Sequence, residues 1–197
     1  TYTIVSGTAA ELVANANGED DVTYILNDVD VVVTDNITIT ELGEVKTVIG
    51  EGTVTAQTIE GSIAELMPDE VVIPYVGEGT NVTVTGSATI EQIKAIDEQN
   101  GDGRLTYSLQ DDFDDILADL NDDSYDYLTG ADAIQVTDSS NLGDRSIADI
   151  KKLLALDDAQ SIKDMNGGDL TLADLTFNLK DTPANLAAAA VRKPVSP

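Results

Sequence analysis

The 197-residue chain contains no cysteine, no histidine and no tryptophan, and only two phenylalanines and two methionines. Each absence closes off chemistry. Without Cys or His there is no Ser-His-Asp triad, no thiol nucleophile and no His-bearing zinc or iron site. A chain free of Cys also suits an oxidising space, where stray thiols would scramble. Basic residues are scarce: 10 Lys and Arg stand against 37 acids, 26 of them Asp, for a net charge of −27. Such a field repels phosphates and anionic lipid, which argues against nucleic acid and membrane surfaces as partners. It also strains the folded state unless salt, or bound cations such as calcium, screen it. No apolar run approaches the length of a membrane-spanning helix, and no charged and apolar leader precedes Thr1-Tyr-Thr. Phosphate-cradling glycine motifs are missing too. Paired carboxylates could hydrolyse a glycoside, but so many acids single out no pair and aromatic sugar platforms are nearly lacking. The expectation is a chain that is not an enzyme.

What the sequence does have is a repeated phrase. Ser, Thr or Asp is followed three residues later by Glu, Gln, Asp or Asn and then by Leu or Ile, at Thr8–Leu12, Thr38–Leu42, Ser62–Leu66, Thr89–Ile93, Asp112–Ile116, Ser146–Ile150 and Thr182–Leu186. This is a capping-box signature: the first side chain accepts a bond from an orphan amide of a new helix and the third residue on reaches back. Apolar residues then recur at helical spacing, as in Ile39, Leu42, Val45 and in Ile90, Ile93, Ile96. Upstream lie period-two runs such as Val31-x-Val33, Val82-x-Val84, Ile134-x-Val136, Tyr2-x-Ile4 and Tyr107-x-Leu109, which read as strands.

The phrases alternate between two half-repeats. In the first, Tyr24, Tyr75 and Tyr127 lie 51 and 52 residues apart, and eleven residues after each comes Asp35, Gly86 or Asp138, preceded by Val-Thr. The second opens at Thr1, Thr55, Thr106 and Thr176. The third copy carries insertions around Ser139–Arg145 and Asp157–Leu175, where loops tolerate them. This organisation gives a partial repeat over residues 1–21, repeats over 22–70, 71–123 and 124–190, and a tail over 191–197. Short helices of this kind do not stand alone, so the predicted fold is an α/β stack, solenoid-like, of strand–turn–short-helix units with a largely parallel sheet. The alternative is a string of small α+β modules of about 50 residues. In that case Val22–Leu26, Val71–Tyr75 and Tyr125–Leu128 would form hairpins with the strands that follow. The three tyrosines would stack as an in-phase core ladder. Because the chain starts inside one half-repeat and stops inside another, it reads as a segment of a longer repetitive protein.

Two stretches could hold a cation. Counting from Glu98, the segment Glu-Gln-Asn-Gly-Asp-Gly places Asn100 at position three, Asp102 at five and Gly103 at six, the first half of an EF-hand-type calcium loop. Position twelve is Leu109 rather than an acid, and Gln110 and Asp111 follow it. The candidate ligand set is therefore Glu98, Asn100, Asp102 and Asp111, with a plain Asn-Gly-Asp-Gly turn as the other reading. The second stretch is the acidic run Asp111, Asp112, Asp114, Asp115, Asp119, Asp122, Asp123 and Asp126 around one short helix, either a solvated face or a divalent-ion site.

The segments TYTIVSGTAAEL, VTVTGSATIEQIKAID and TFNLKDTPANLAAAA resemble the tandem repeats of very large bacterial secreted and cell-surface proteins, namely the acidic, Cys-free RTX-type adhesins and S-layer-like proteins. The family's Gly-Gly-x-Gly-x-Asp calcium nonapeptide is represented only by the fragment Asn166-Gly-Gly-Asp169, so no ligand residues carry over. The resemblance implies export to the cell surface or beyond, a structural or adhesive role, and partners that are neighbouring repeats or like chains. A second possibility is a module that recognises a glycan or surface protein through the insertions of the third repeat.

Overall fold

The computed structural model describes residues 3–19, 23–122, 127–159 and 162–190. Each of the seven phrases starts a helix. Strand β1 (Ile4–Gly7) leads to helix α1 (Ala9–Ala16), β2 (Asp30–Thr38) to α2 (Ile39–Ile49), β3 (Val54–Ser62) to α3 (Ile63–Leu66), β4 (Asn81–Ala88) to α4 (Ile90–Asn100), and β5 (Leu105–Asp111) to α5 (Phe113–Asp119). Beyond them come α6 (Tyr127–Gly130), β6 (Ile134–Val136), β7 (Asp144–Arg145), α7 (Ile147–Ala159), β8 (Ile162–Lys163), β9 (Asn178–Leu179) and α8 (Pro183–Ala190). The caps explain why strand turns to helix within one residue. Thr8, Thr38 and Thr89 stay extended, and each hydroxyl accepts from the amide three residues on, at 3.3, 3.2 and 3.2 Å. The Glu11, Glu41 and Gln92 side chains accept from the cap amides at 2.9 Å in return. Ser146 does the same with Asp149, and Thr182 accepts from the amide of Asn185.

The chain divides into two units, Thr1–Tyr107 and Ser108–Pro197, a division that falls inside β5. In the first, β1, β2, β3 and β4 lie side by side in chain order, all parallel, with a helix in each crossover from β1 through β4. One sheet face buries Val31, Val33, Ile37, Ile59, Val82 and Val84 together with Leu12, Leu42, Val45, Leu66, Ile93 and Ile96 of the helices. Val32, Thr34, Thr55 and Gln57 remain exposed on the strands. In the second unit β5, β6 and β8 are parallel neighbours, and β7 pairs with β9, also parallel. The chain is thus α/β, with parallel strands alternating with helices. No described helix is long and apolar enough to cross a membrane.

The 51-residue spacing reappears in backbone geometry. The Asp28 amide donates to the Ile49 carbonyl at 2.9 Å, and its counterpart Gly79 donates to Asn100 at 2.8 Å. Val31 donates to Thr53, and Val82 to Arg104, both at 2.8 Å. Asp30 Oδ1 accepts from the Thr53 amide and Asn81 Oδ1 from the Arg104 amide, both at 2.9 Å. Gly50 and Gly101, which follow α2 and α4, share a left-handed φ of 56° and 57°.

Two expectations are corrected. The runs that the alternative fold would pair as hairpins are not strands where they are described: residues 23–26 and 71–73 are irregular and Tyr127–Leu128 begin α6, while Val22, Tyr125 and Asp126 lie outside the described residues. These segments, and Val76 just after the second, plug the core with Ile25, Val72, Val76 and Leu128. Helix side chains satisfy their backbone: Asn15 Oδ1 accepts from the Tyr24 and Ile25 amides, Gln99 Nε2 donates to the Ile73 and Val76 carbonyls, and Asp119 Oδ2 accepts from Leu128. Nor are the three tyrosines alike in burial, as a core ladder would require, for Tyr24 is half exposed, Tyr75 half-buried and Tyr127 buried.

The insertions of the third copy cut strands in two. β6 and β7 together correspond to β2, with five extra residues, 139–143, falling where the β2–β3 register already slips, between Val33 and Asn36. β8 and β9 together correspond to β3, with residues 164–177 between them. The two insertions bind one another: Leu142 donates to Thr176 at 2.8 Å, Thr176 to Ser139 at 3.0 Å and Asn178 to Gly143 at 2.7 Å. Ser139, Leu142, Leu170 and Leu175 are buried within them.

Candidate functional site: the acidic start of helix α5

The strand β5 ends on Asp111, and Asp112 caps α5, its Oδ1 accepting from the Asp115 amide at 3.0 Å. Here the capping box stays half made. The Asp112 amide donates to Asp111 Oδ1 at 3.0 Å, which leaves the Asp115 carboxyl free to face Asp111. Among the described residues, Asp111, Asp112 and Asp115 form the one group of acids that could surround an ion, with carboxylate oxygens within 4.8 Å of one another. Asp111 is buried and the other two are exposed. Loss of water at the helix start, then repulsion by Asp112 and Asp111, raises the Asp115 carboxyl above the ordinary Asp value.

The surroundings of the cluster mix opposite charges. The Phe113 amide donates to Asp138 Oδ1 at 2.9 Å. Burial raises the Asp138 carboxyl, and that amide and Arg145 hold it back. Arg145 forms a bidentate pair with Asp114 at 2.6 and 2.9 Å, and its guanidinium carbon lies 4.7 Å from the centre of the Phe113 ring. The guanidinium thus serves Asp114, while Asp111, Asp112 and Asp115 keep three hard oxygen donors together. Such donors suit calcium, with water completing the shell.

Of the candidate ligands, Asp111 belongs to this group and the other three do not. Glu98 and Asn100 lie within α4, and Asp102 is exposed in the turn after it. The EF-hand-type loop does not form, because the helix continues through Asn100. The Asn100 amide group donates to the carbonyls of Thr80 and Gly103, at 3.3 and 2.9 Å, and its Oδ1 is buried without a partner. From the acidic run, Asp119 turns inward to the Leu128 amide, and Asp123 and Asp126 lie outside the described residues.

Some polar roles escaped the sequence reading. Asp35, Asp138 and Asp181 each accept from the first amide of a helix, those of Ala9, Phe113 and Ile147, at 2.7, 2.9 and 3.0 Å. The Val-Thr-Asp recurrence was the available signal for the first two. Thr171–Leu175 also fits the capping phrase, and Thr171 caps a single 3-10 turn there.

Replacing Asp115 with Asn is expected to raise the melting temperature near pH 7 in chelator. A carboxyl whose folded pKa is raised binds its proton more readily when folded, so its contribution to stability falls as pH rises from the ordinary Asp range through the raised value. Above that window the charged form is penalised in full. The variant should therefore gain at neutral pH and flatten the acid side of a stability-against-pH curve. An unchanged or lower melting temperature would contradict the placement of the group.

Compared with models of known protein families, with curated proteins and with solved structures, the chain matches none.

Proposed function

We propose that this chain is a non-catalytic structural or adhesive repeat module of an exported bacterial surface protein, built from strand–helix bricks that cover one another. The observation that carries this reading is the recurrence of the same caps and the same turn bonds 51 residues apart, as in Asp28 to Ile49 and Gly79 to Asn100. A chain that repeats a local solution invests its sequence in extension rather than in one cleft. Its partners are neighbouring repeats or like chains. Calcium is the stabiliser, held by Asp111, Asp112 and Asp115 and screening a chain of net charge −27.

Melting with calcium and with chelator tests the reading. Calcium should raise the melting temperature of the parent, and the rise should shrink in an Asp112→Asn variant. Stability that follows bulk salt alone, with calcium no better than sodium at equal ionic strength, would reduce the acidity to adaptation to a saline medium.

A second reading keeps a recognition role for the third repeat. Its insertions are bound to each other and present Met165 and Leu172, 44 % and 56 % exposed. A glycan array silent across acidic and neutral sugars would count against that reading.

A further inference from the structure

The edge strand β1 pairs, among the described residues, with β2 alone. Sheets usually protect such an edge with a charge, a proline or a bulge. Ile4-Val5-Ser6-Gly7 has none of these, and Ile4 is 59 % exposed. Its sequence counterpart, 54 residues on, is Thr58-Ile59-Glu60-Gly61 of β3. On the side shared by both strands the register is the same. Ile4 lies opposite Asp30 as Thr58 lies opposite Asn81, and Val5 opposite Val31 as Ile59 opposite Val82. On its other side β3 is also paired, Ile37 of β2 lying opposite Ile59 and the cap Thr38 opposite Glu60. The same offset from the caps recurs between β7 and β9, where Arg145 lies opposite Leu179. Among the described residues the corresponding side of β1 is open, and Val5 is only half-buried where Ile59 is buried.

Gly7 says what fits there. Its position, one before the cap, meets the first residue of the preceding helix at two other places in the chain. A Cβ on Gly61 would lie 2.8 Å from Ile39 Cγ1, and Asp181 takes the amide of Ile147 at 3.0 Å. The three atoms nearest a Cβ on Gly7 belong to the Glu11 and Leu12 side chains of the helix that follows it, at 3.3 to 3.5 Å, and none belongs to a preceding helix. Gly7 thus leaves space for a helix start that no described residue supplies.

We propose that the open edge of β1 receives a parallel strand–helix brick of the kind formed by Asp30–Ile49. The residue before the brick's cap would lie opposite Val5, its cap Thr or Ser opposite Ser6, and its first helical side chain over Gly7. This inference rests on the stacked-brick part of the proposed function and names the surface on which stacking continues.

The experiment joins a second copy of Asp28–Val54 ahead of Thr1 in the full chain, which preserves the junction seen between Val54 and Thr55. A second fusion carries Gly79–Leu105 instead, in case the first brick fails to fold. Hydrogen exchange at the β1 amides should slow about tenfold or more in at least one fusion. Gly7→Val should leave the unextended chain folded, since the atoms nearest a Cβ there are side-chain atoms of Glu11 and Leu12 at 3.3 Å or more and none is backbone, and should abolish the new protection in the fusion. Unchanged β1 exchange in both fusions would overturn the proposal, as would protection that survives Gly7→Val. So would a concentration-dependent mass of the unextended chain with β1 already protected, which would assign the edge to a second copy instead. The calcium response of the melting temperature is read at α5 and does not depend on β1, so failure of docking and failure of the calcium-stabilised module can be told apart.

Discussion

Asn15→Ala is expected to destabilise the first unit by about 2–4 kcal/mol, the cost of leaving two buried backbone donors without an acceptor. Asn15 is buried, and its Oδ1 accepts at 2.8 Å from both the Tyr24 and the Ile25 amides. Water cannot readily replace it, because Ile25 is fully buried beside it. The side chain ties the irregular segment before β2 to α1, which fixes where β2 begins. Asn15→Asp is the informative control. The carboxylate keeps two acceptor oxygens, and Asp119, likewise seven residues after its cap, serves the Leu128 amide in the same way. Urea unfolding followed by circular dichroism should show a much smaller loss for Asn15→Asp than for Asn15→Ala. If Asn15→Ala falls within about 0.5 kcal/mol of the parent, as surface changes do, the tether has no energetic weight.

The contrast between that tether and the caps shows which parts of the fold the sequence discloses. Capping is local. Thr38 and Glu41 find each other within one turn, so helix starts could be placed to the residue, and the alternation of strands with helices implied parallel pairing. Asn15 and Asp119 satisfy partners 9 and 10 residues away, and a polar residue in a short helix reads first as a solvent-facing one. The strand reading of residues 23–26 and 71–75 failed for a related reason. Apolar and β-branched residues serve a strand and a core plug equally, and only the presence of a neighbouring edge decides between them. The acidic cluster at the start of α5 was half legible. Asp111 was found in both candidate stretches, but ligand spacing from Glu98 took no account of α4, whose buried Ile93 and Ile96 carry the helix on through Asn100. Gathering Asp115 against Asp111 required the half-made box at Asp112, which no spacing rule foretells.

The turns that follow α2 and α4 allow the repetition itself to be measured as energy. Gly52 and Gly103 lie 51 residues apart, and each passes so near another backbone that a side chain has no room. A Cβ on Gly52 would lie 2.2 Å from the Val29 carbonyl oxygen, and one on Gly103 2.1 Å from that of Thr80. These oxygens belong to the residues just before β2 and β4, so relief would require shifting a strand within the parallel ladder. Gly52→Ala and Gly103→Ala should therefore each cost about 3 kcal/mol, the upper end for overpacking. Gly43→Ala is the matched control. Gly43 is exposed within α2 with nothing near its Cβ position, so alanine there should stabilise by about 0.5–1 kcal/mol through helix propensity. Near-equal losses at positions 52 and 103, measured by urea unfolding of the full chain, would mean that two copies solve the same turn at the same cost. A loss at one and tolerance at the other would show that the shared hydrogen bonds conceal different packing, and the energetic case for interchangeable bricks would fail with it.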